Sequence, residues 1–177
     1  MDEAEKIYRQ AFKGAETVLR PNHTLTLKTI NSLGLLYIDQ DKLENSEKMY
    51  LQAQEEGEKV PRFYHTSTLD TLNNLGVLYS KQNKLNRAEK IYLRVLEGKE
   101  KALGPDQPST LRTIHNLGML YLDQGKLDDA KGIYMRALSG RQKAPGPDHM
   151  SILETLNSLA PLYADQGKLH ELSLIHI

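Results

Sequence analysis

No cysteine and no tryptophan occur in the 177 residues, and phenylalanine occurs only twice. Without thiols the chain has neither a disulfide framework nor a thiolate metal site. An excess of charge is missing too: 23 basic side chains balance 23 acidic ones. No global field therefore draws in a polyanion, and neither nucleic acid nor a membrane surface is an expected partner. Apolar runs stop at five or six residues, far short of the roughly 20 that a membrane-spanning helix needs. The opening Met1-Asp2-Glu3-Ala4-Glu5-Lys6 has the wrong charge pattern and no apolar core for a secretory signal. A cytoplasmic protein is the resulting expectation. Strand-type alternation is absent throughout, which leaves an all-α chain.

What fills the space is repetition. Leu33-Gly34-Leu35-Leu36-Tyr37 returns as Leu75-Gly76-Val77-Leu78-Tyr79, as Leu117-Gly118-Met119-Leu120-Tyr121 and as Leu159-Ala160-Pro161-Leu162-Tyr163, each copy 42 positions after the last. Tyr8, Tyr50, Tyr92 and Tyr134 keep the same spacing, so two columns account for eight of the nine tyrosines and leave only Tyr64. Aromatic usage is set by the period, nothing remains for a cofactor box, and no cofactor is expected. The register gives a half unit over residues 1–24, units 25–66, 67–108 and 109–150, an incomplete unit 151–169 and a non-repeat tail 170–177. A tandem array buries each unit against the next and leaves a long surface suited to holding another chain.

Each unit reads as two helices. In the second full copy Leu69, Leu72, Leu75, Gly76, Leu78 and Tyr79 fall on one helical stripe, helix A. The turn after it carries Asp41, Asn83, Gly125 or Gly167, the residue types that tolerate a left-handed backbone. A second stripe through Leu85, Ala88, Ile91, Tyr92, Val95 and Leu96 makes helix B, with Glu44, Asn86 or Asp128 near the positive end of its dipole. Leu103-Gly104-Pro105-Asp106, repeated as Pro145-Gly146-Pro147-Asp148, breaks helix B. Asp106, Asp148 and Asn22 are the expected N-caps of the following helices A, with Thr66 or Ser67 serving where Tyr64 cannot. Gly34, Gly76, Gly118 and Ala160 form a mid-helix column. Glycine there costs about 1 kcal/mol against alanine, so its recurrence implies a helix crossing too close for a larger side chain. The layout is a helix B over roughly residues 2–18, three A-B pairs and a fourth helix A over roughly 151–165, eight antiparallel helices in all.

Leu75-Gly76-Val77-Leu78-Tyr79, a small residue nine positions after the tyrosine at Ala88, and an aromatic four further on at Tyr92 resemble the tetratricopeptide repeat. The usual period of that repeat is about 34. The longer helix B and the Leu-Gly-Pro-Asp loop are similar to the repeats of kinesin light chains. The near-identical copies, with Asp-Gln-Gly-Lys-Leu at the turn, look like the repeat tails of filamentous-fungal NLR-type proteins. Three departures stand out: Ile30, Leu72, Ile114 and Leu156 replace the common tryptophan, Ser46 replaces the small alanine of helix B, and Pro161 lies inside a helix.

The resemblance implies a right-handed superhelical solenoid whose concave surface is lined by helix A. Carried onto this chain, the groove columns are Lys28, Asp70, Arg112 and Glu154; Asn31, Asn73, His115 and Asn157; and Leu35, Val77, Met119 and Pro161. The first column alternates in sign and suits a peptide of complementary charge, while the asparagines can hydrogen-bond an extended backbone. A solvated face of alternating charge is the bland reading of the same column.

Catalytic constellations do not assemble. His23, His65 and His149 share one loop column and sit a unit apart, too far for a common metal, so loop packing is their expected role. His170-Glu171 begins like a zinc-protease helix, but Leu174 stands where the second histidine belongs. Gly98-Lys99 lacks the upstream glycine and the following hydroxyl residue of a phosphate-cradling loop, and Asn22-His23-Thr24 is a glycosylation triplet produced by the repeat's own loop. No enzyme activity is expected of these residues. Leu172-Ser173-Leu174-Ile175-His176-Ile177 keeps no repeat column. It is what CTG TCT CTT ATA CAC ATC encodes, a string resembling a transposase mosaic-end adaptor, so read-through is its expected origin and a hydrophobic targeting tail the rival reading.

The functional expectation is a protein- or peptide-binding scaffold within a larger NLR-type sensor. A kinesin-light-chain-like cargo adaptor and the substrate-selecting repeats of an enzyme are the rival readings. Self-association through the exposed ends is a further expectation.

Overall fold

A computed structural model describes residues 3–19, 23–58, 66–143 and Asn157. Among these the elements are α1 (Glu3–Val18), α2 (Thr24–Asp39), α3 (Leu43–Glu58), α4 (Thr66–Lys81), α5 (Leu85–Ala102), α6 (Pro108–Asp123) and α7 (Leu127–Lys143), with no strand. The even-numbered helices are helix A of the repeat and the odd-numbered ones helix B. The expected eighth helix, with Glu154 and Pro161, and the tail after it lie outside the described residues; Asn157 alone is helical and exposed.

Two compact units divide the chain, Met1–Gly98 and Lys99–Ile177, the boundary falling inside α5. In the first, α1 packs on α2, α2 on both α3 and α4, and α3 on α4; in the second, α6 packs on α7. The apolar stripe read for helix A is the core of the first unit: Leu69, Leu72, Leu75 and Leu78 are fully buried and Tyr79 nearly so. Fully burying one leucine contributes about 1.5–3 kcal/mol, which outweighs any helix propensity term along this segment.

The glycine column does what its recurrence implied. A Cβ on Gly34 would lie 2.4 Å from the Tyr50 ring, one on Gly76 2.5 Å from Tyr92, and one on Gly118 2.8 Å from Tyr134. In each pair the helix-B tyrosine fills the place a side chain would take, and it is itself buried. Burial pushes the Tyr50 phenol up, with Ser46 and Asn74 pulling it part of the way back. Ser46 keeps the packing role of alanine and adds a bond, its Oγ donating to the Gly34 carbonyl at 3.0 Å.

The A-to-B turn is the same in the three copies among the described residues. Lys42, Lys84 and Lys126 each donate their backbone N–H to the carbonyl of Tyr37, Tyr79 and Tyr121, at 2.8 Å. Asp41 and Asn83 sit at φ 58° and Gly125 at φ 71°, the left-handed conformation their types suggested. The same lysines lie over the tyrosine rings, Nζ 5.9, 5.4 and 5.3 Å from the centroids.

Helix starts differ from expectation by one residue. The N-cap of α6 is Gln107, with no side-chain cap bond, and not Asp106. The reason is Pro108 at the first helical position: its fixed φ suits N1 and sets the start one step later than the aspartate. At α2 the cap is His23, whose Nδ1 accepts from the Leu25 N–H at 3.2 Å. His23 is exposed and caps a helix where loop packing was expected. Asn22, Tyr64, His65, Asp148 and His149 lie outside the described residues. Ahead of α6, Gly104 takes φ 105° and donates to the carbonyls of Lys99 and Glu100, closing α5 as the Gly-Pro pair predicted. Lys99 is fully buried there, its Nζ donating to the Ser109 carbonyl at 3.1 Å.

Candidate functional site

Each helix A places its candidate groove residues at spacings of three and four, so the three columns share one face of the helix. On α2 Lys28 is exposed, Asn31 half-buried and Leu35 44% exposed. On α4, which packs against α2, Asp70 and Val77 are half-buried and Asn73 is only 2% exposed. The first unit thus brings these two sets side by side. Asn74, one position on, makes a polar link between the helices, its Nδ2 donating to Asn31 Oδ1 at 3.4 Å. In the second unit α6 carries Arg112, exposed, His115, half-buried, and Met119, 43% exposed.

Two of these positions depart from the solvent-facing role expected of them. Asn73 is buried where α4 packs on α2 and α3; its column counterpart Asn31 is only half covered. The shared column fixes a direction and leaves the exposure to differ from copy to copy. His115 leans on the Tyr134 ring, centroids 5.6 Å apart at 59°, because Gly118 lets α7 approach α6 so closely. It is therefore part of the packing as well as of the surface.

The strongest electrostatics lie elsewhere, between helix B and the next turn. Glu5 of α1, buried, accepts from Lys42 Nζ at 2.7 Å and from Arg9 Nε at 3.0 Å, with the Tyr37 hydroxyl at 3.5 Å. The Lys42 hydrogen bond, with lesser help from Arg9, holds the Glu5 carboxyl below the usual carboxylate range against the opposing effect of burial. One period on, Glu47 accepts from Lys84 Nζ and Gln82 Nε2, both at 3.1 Å. Burial raises its pKa, but these bonds outweigh it and the net shift is downward. This cluster staples a helix B to the following turn. It is a structural device that sequence reading passed over, although Glu5 and Glu47 share the 42-residue spacing. A second missed column is apolar: Leu51, Leu93 and Met135 stand 42%, 45% and 37% exposed on helix B.

Among the described residues no group of three histidine, cysteine or carboxylate side chains is placed to hold a metal, and no helix is long and apolar enough to cross a membrane. What is present is a set of helix faces with mixed charge, amides and a few exposed apolar side chains, carried on pairs of helices with an invariant turn. That architecture defines a helical-repeat scaffold.

The chain belongs to the tetratricopeptide repeat family, which its sequence matches over residues 27–101, 67–143 and 109–171. Comparison with the curated proteins gives no match. Solved structures share the fold. BtubC (BKLC) from P. vanneervenii superposes with a TM-score of 0.86 at 24% identity, over 97% of this chain and 68% of that one. A putative kinesin light chain from Podosopora anserina, with nearly identical TPR-like repeats, gives 0.76 at 22% identity over 97% and 81%. The Rap conjugation gene regulator of the plasmid pLS20, solved in complex with the Phr peptide, gives 0.70 at 16% over 96% and 45%.

Proposed function

We propose that the chain is a binding scaffold that takes an extended protein or peptide segment along its helix-A faces. In this reading Lys28, Asn31, Leu35, Asp70 and Val77 form the contact surface of the first unit, and Arg112, His115 and Met119 that of the second. The single observation that carries it is the pairing of an exposed cation with an exposed apolar side chain at the same two columns of α2 and α6: Lys28 with Leu35, and Arg112 with Met119. A peptide-bound regulator of like fold supports a peptide ligand. The Asp-Gln-Gly-Lys-Leu turn, present at residues 123–127 and 165–169, supports a parent of the NLR type, acting in the cytoplasm, within which these repeats are the sensing part. A kinesin-light-chain-like adaptor is the second reading, favoured by the likeness to the Podosopora protein.

The test is selection from a displayed peptide library against the full chain, followed by Lys28→Glu, Leu35→Asp, Arg112→Glu and Met119→Asp. Selected peptides should bind at least tenfold more weakly to one or more of these variants, with the thermal melt unchanged, since all four side chains are exposed. Peptides that bind all four variants as they bind the parent would place the contact surface elsewhere.

A further inference from the structure

Lys48, Leu51 and Glu55 of α3 recur one period on as Lys90, Leu93 and Glu97 of α5, and all six are exposed. The two leucines are 42% and 45% exposed. α3 already has a helix B on either side: Gln52 donates to Glu16 of α1 at 2.9 Å, and Glu47 accepts from Lys84 in the turn before α5. With both neighbours in place Lys48, Leu51 and Glu55 still face solvent, so this is a side that the stacking of repeats leaves open. Its charges are ordered as well. Lys48 and Lys90 enter no hydrogen bond or ion pair among the described residues, whereas Lys42 and Lys84 of the turns are bound to Glu5 and Glu47.

In each helix the lysine stands three residues before the leucine and the glutamate four after it, so three rows run side by side across α3 and α5: cationic, apolar and anionic. A rise of about 1.5 Å per residue sets the outer rows about 10.5 Å apart, and an α-helix with its side chains is about 10–12 Å across. The apolar row is thus a bed one helix wide, with a positive border and a negative one. The third copy reads Gly132, Met135 and Ser139, which keeps the apolar centre and loses both borders.

We propose that this bed on α3 and α5 binds an amphipathic helix of a partner protein, laid across the two, with an apolar stripe on the leucines, carboxylates along the flank facing Lys48 and Lys90, and amines along the flank facing Glu55 and Glu97. Packed helices lie about 8–10 Å apart, so the partner's matching residues recur at every seventh position, a rise of about 10.5 Å. The opposed borders fix the direction in which the partner lies, because turning it end for end brings like charges together. They also argue against an anionic lipid surface or a nucleic acid, either of which Glu55 and Glu97 repel. The bed is separate from the helix-A faces.

The probes are synthetic peptides of about 18 residues, cross-linked into helices on the face away from the stripe because an isolated helix of that length is marginal in water. All carry the same leucine stripe, flanked by glutamates on one side and lysines on the other, by glutamates on both, or by lysines on both. Titrated into the full isotopically labelled chain, they should give saturable amide shifts centred on Leu51 and Leu93, with the mixed peptide at least fivefold tighter than either of the others. Lys48→Glu with Lys90→Glu should turn the preference to the lysine-flanked peptide. Leu51→Ser with Leu93→Ser should weaken the mixed peptide at least tenfold. The melt should stay unchanged in both variants, since all four side chains are exposed. Equal binding of the three peptides, a preference that the charge reversal leaves as it was, shifts centred on Lys28 and Leu35, or no binding by any peptide would each overturn the proposal. So would phosphatidylserine vesicles that bind the parent chain and not the charge-reversed one, which would give the face to a membrane.

Discussion

Glycine has opposite meanings at different places in this chain, and the difference can be measured. Gly76→Ala gains about 1 kcal/mol of helix propensity but drives a methyl into a buried ring 2.5 Å away, an overpacking cost of about 1–3 kcal/mol. Denaturant unfolding should show a net loss. Gly132, also in a helix but with nothing near its missing Cβ, should gain about 1 kcal/mol on the same change. At the turn the sign depends on φ: Asp41→Gly should stabilise by several tenths to about 1 kcal/mol and Gly125→Ala should destabilise by about 1–2 kcal/mol, since both sit in the left-handed region. Glu5 adds a pH dependence. Its folded pKa lies below the unfolded value of 4.5, so its contribution is complete above that value and fades as pH falls through the folded one. Comparing Glu5→Gln with the parent chain by urea unfolding from about pH 7 to about pH 3 should give a difference that shrinks on acidification.

At the scale of the helix, what sequence could read was whatever the 42-residue period repeats. The stripes of α4 and α5, the left-handed turn residue and the close glycine crossing were all legible, because each is a local rule written three times over. The caps were not. Asp106 is a better capping type than Gln107, yet Pro108 decides the start, a contest between two local preferences that residue type alone does not resolve. That contest leaves a position to improve: Gln107→Ser should supply the side-chain cap bond that α6 lacks and stabilise by about 0.5–2 kcal/mol, read as a rise in melting temperature. The candidate faces were legible as columns but not as surfaces. Asn73 and Asn31 share a column and differ in burial, and His115 differs again, packed on Tyr134.

Across the whole molecule, stability in an array is approximately a sum of unit and neighbour contributions, so protection should follow how much each helix buries within its compact unit. In the first unit α4 buries nine side chains or backbone positions and α1 only Glu5 and Ala15. Native-state hydrogen exchange should therefore find the amides around Leu75 among the slowest of that unit and those around Ile7 among the fastest. Comparable protection in both helices would mean that α1 is covered in solution.

The fit of glycine to tyrosine has one more consequence, and it is genetic. Gly34 meets Tyr50, Gly76 meets Tyr92 and Gly118 meets Tyr134 across the same sixteen-residue interval, so the matching parts always travel together inside one copy. A crossover between neighbouring misaligned copies of such a gene would delete or duplicate 42 codons and still leave each of these glycines sixteen residues ahead of a tyrosine. Copy number is then free to drift and be selected, with the reading surface lengthened or shortened a step at a time, while the parts that must fit are inherited already fitted.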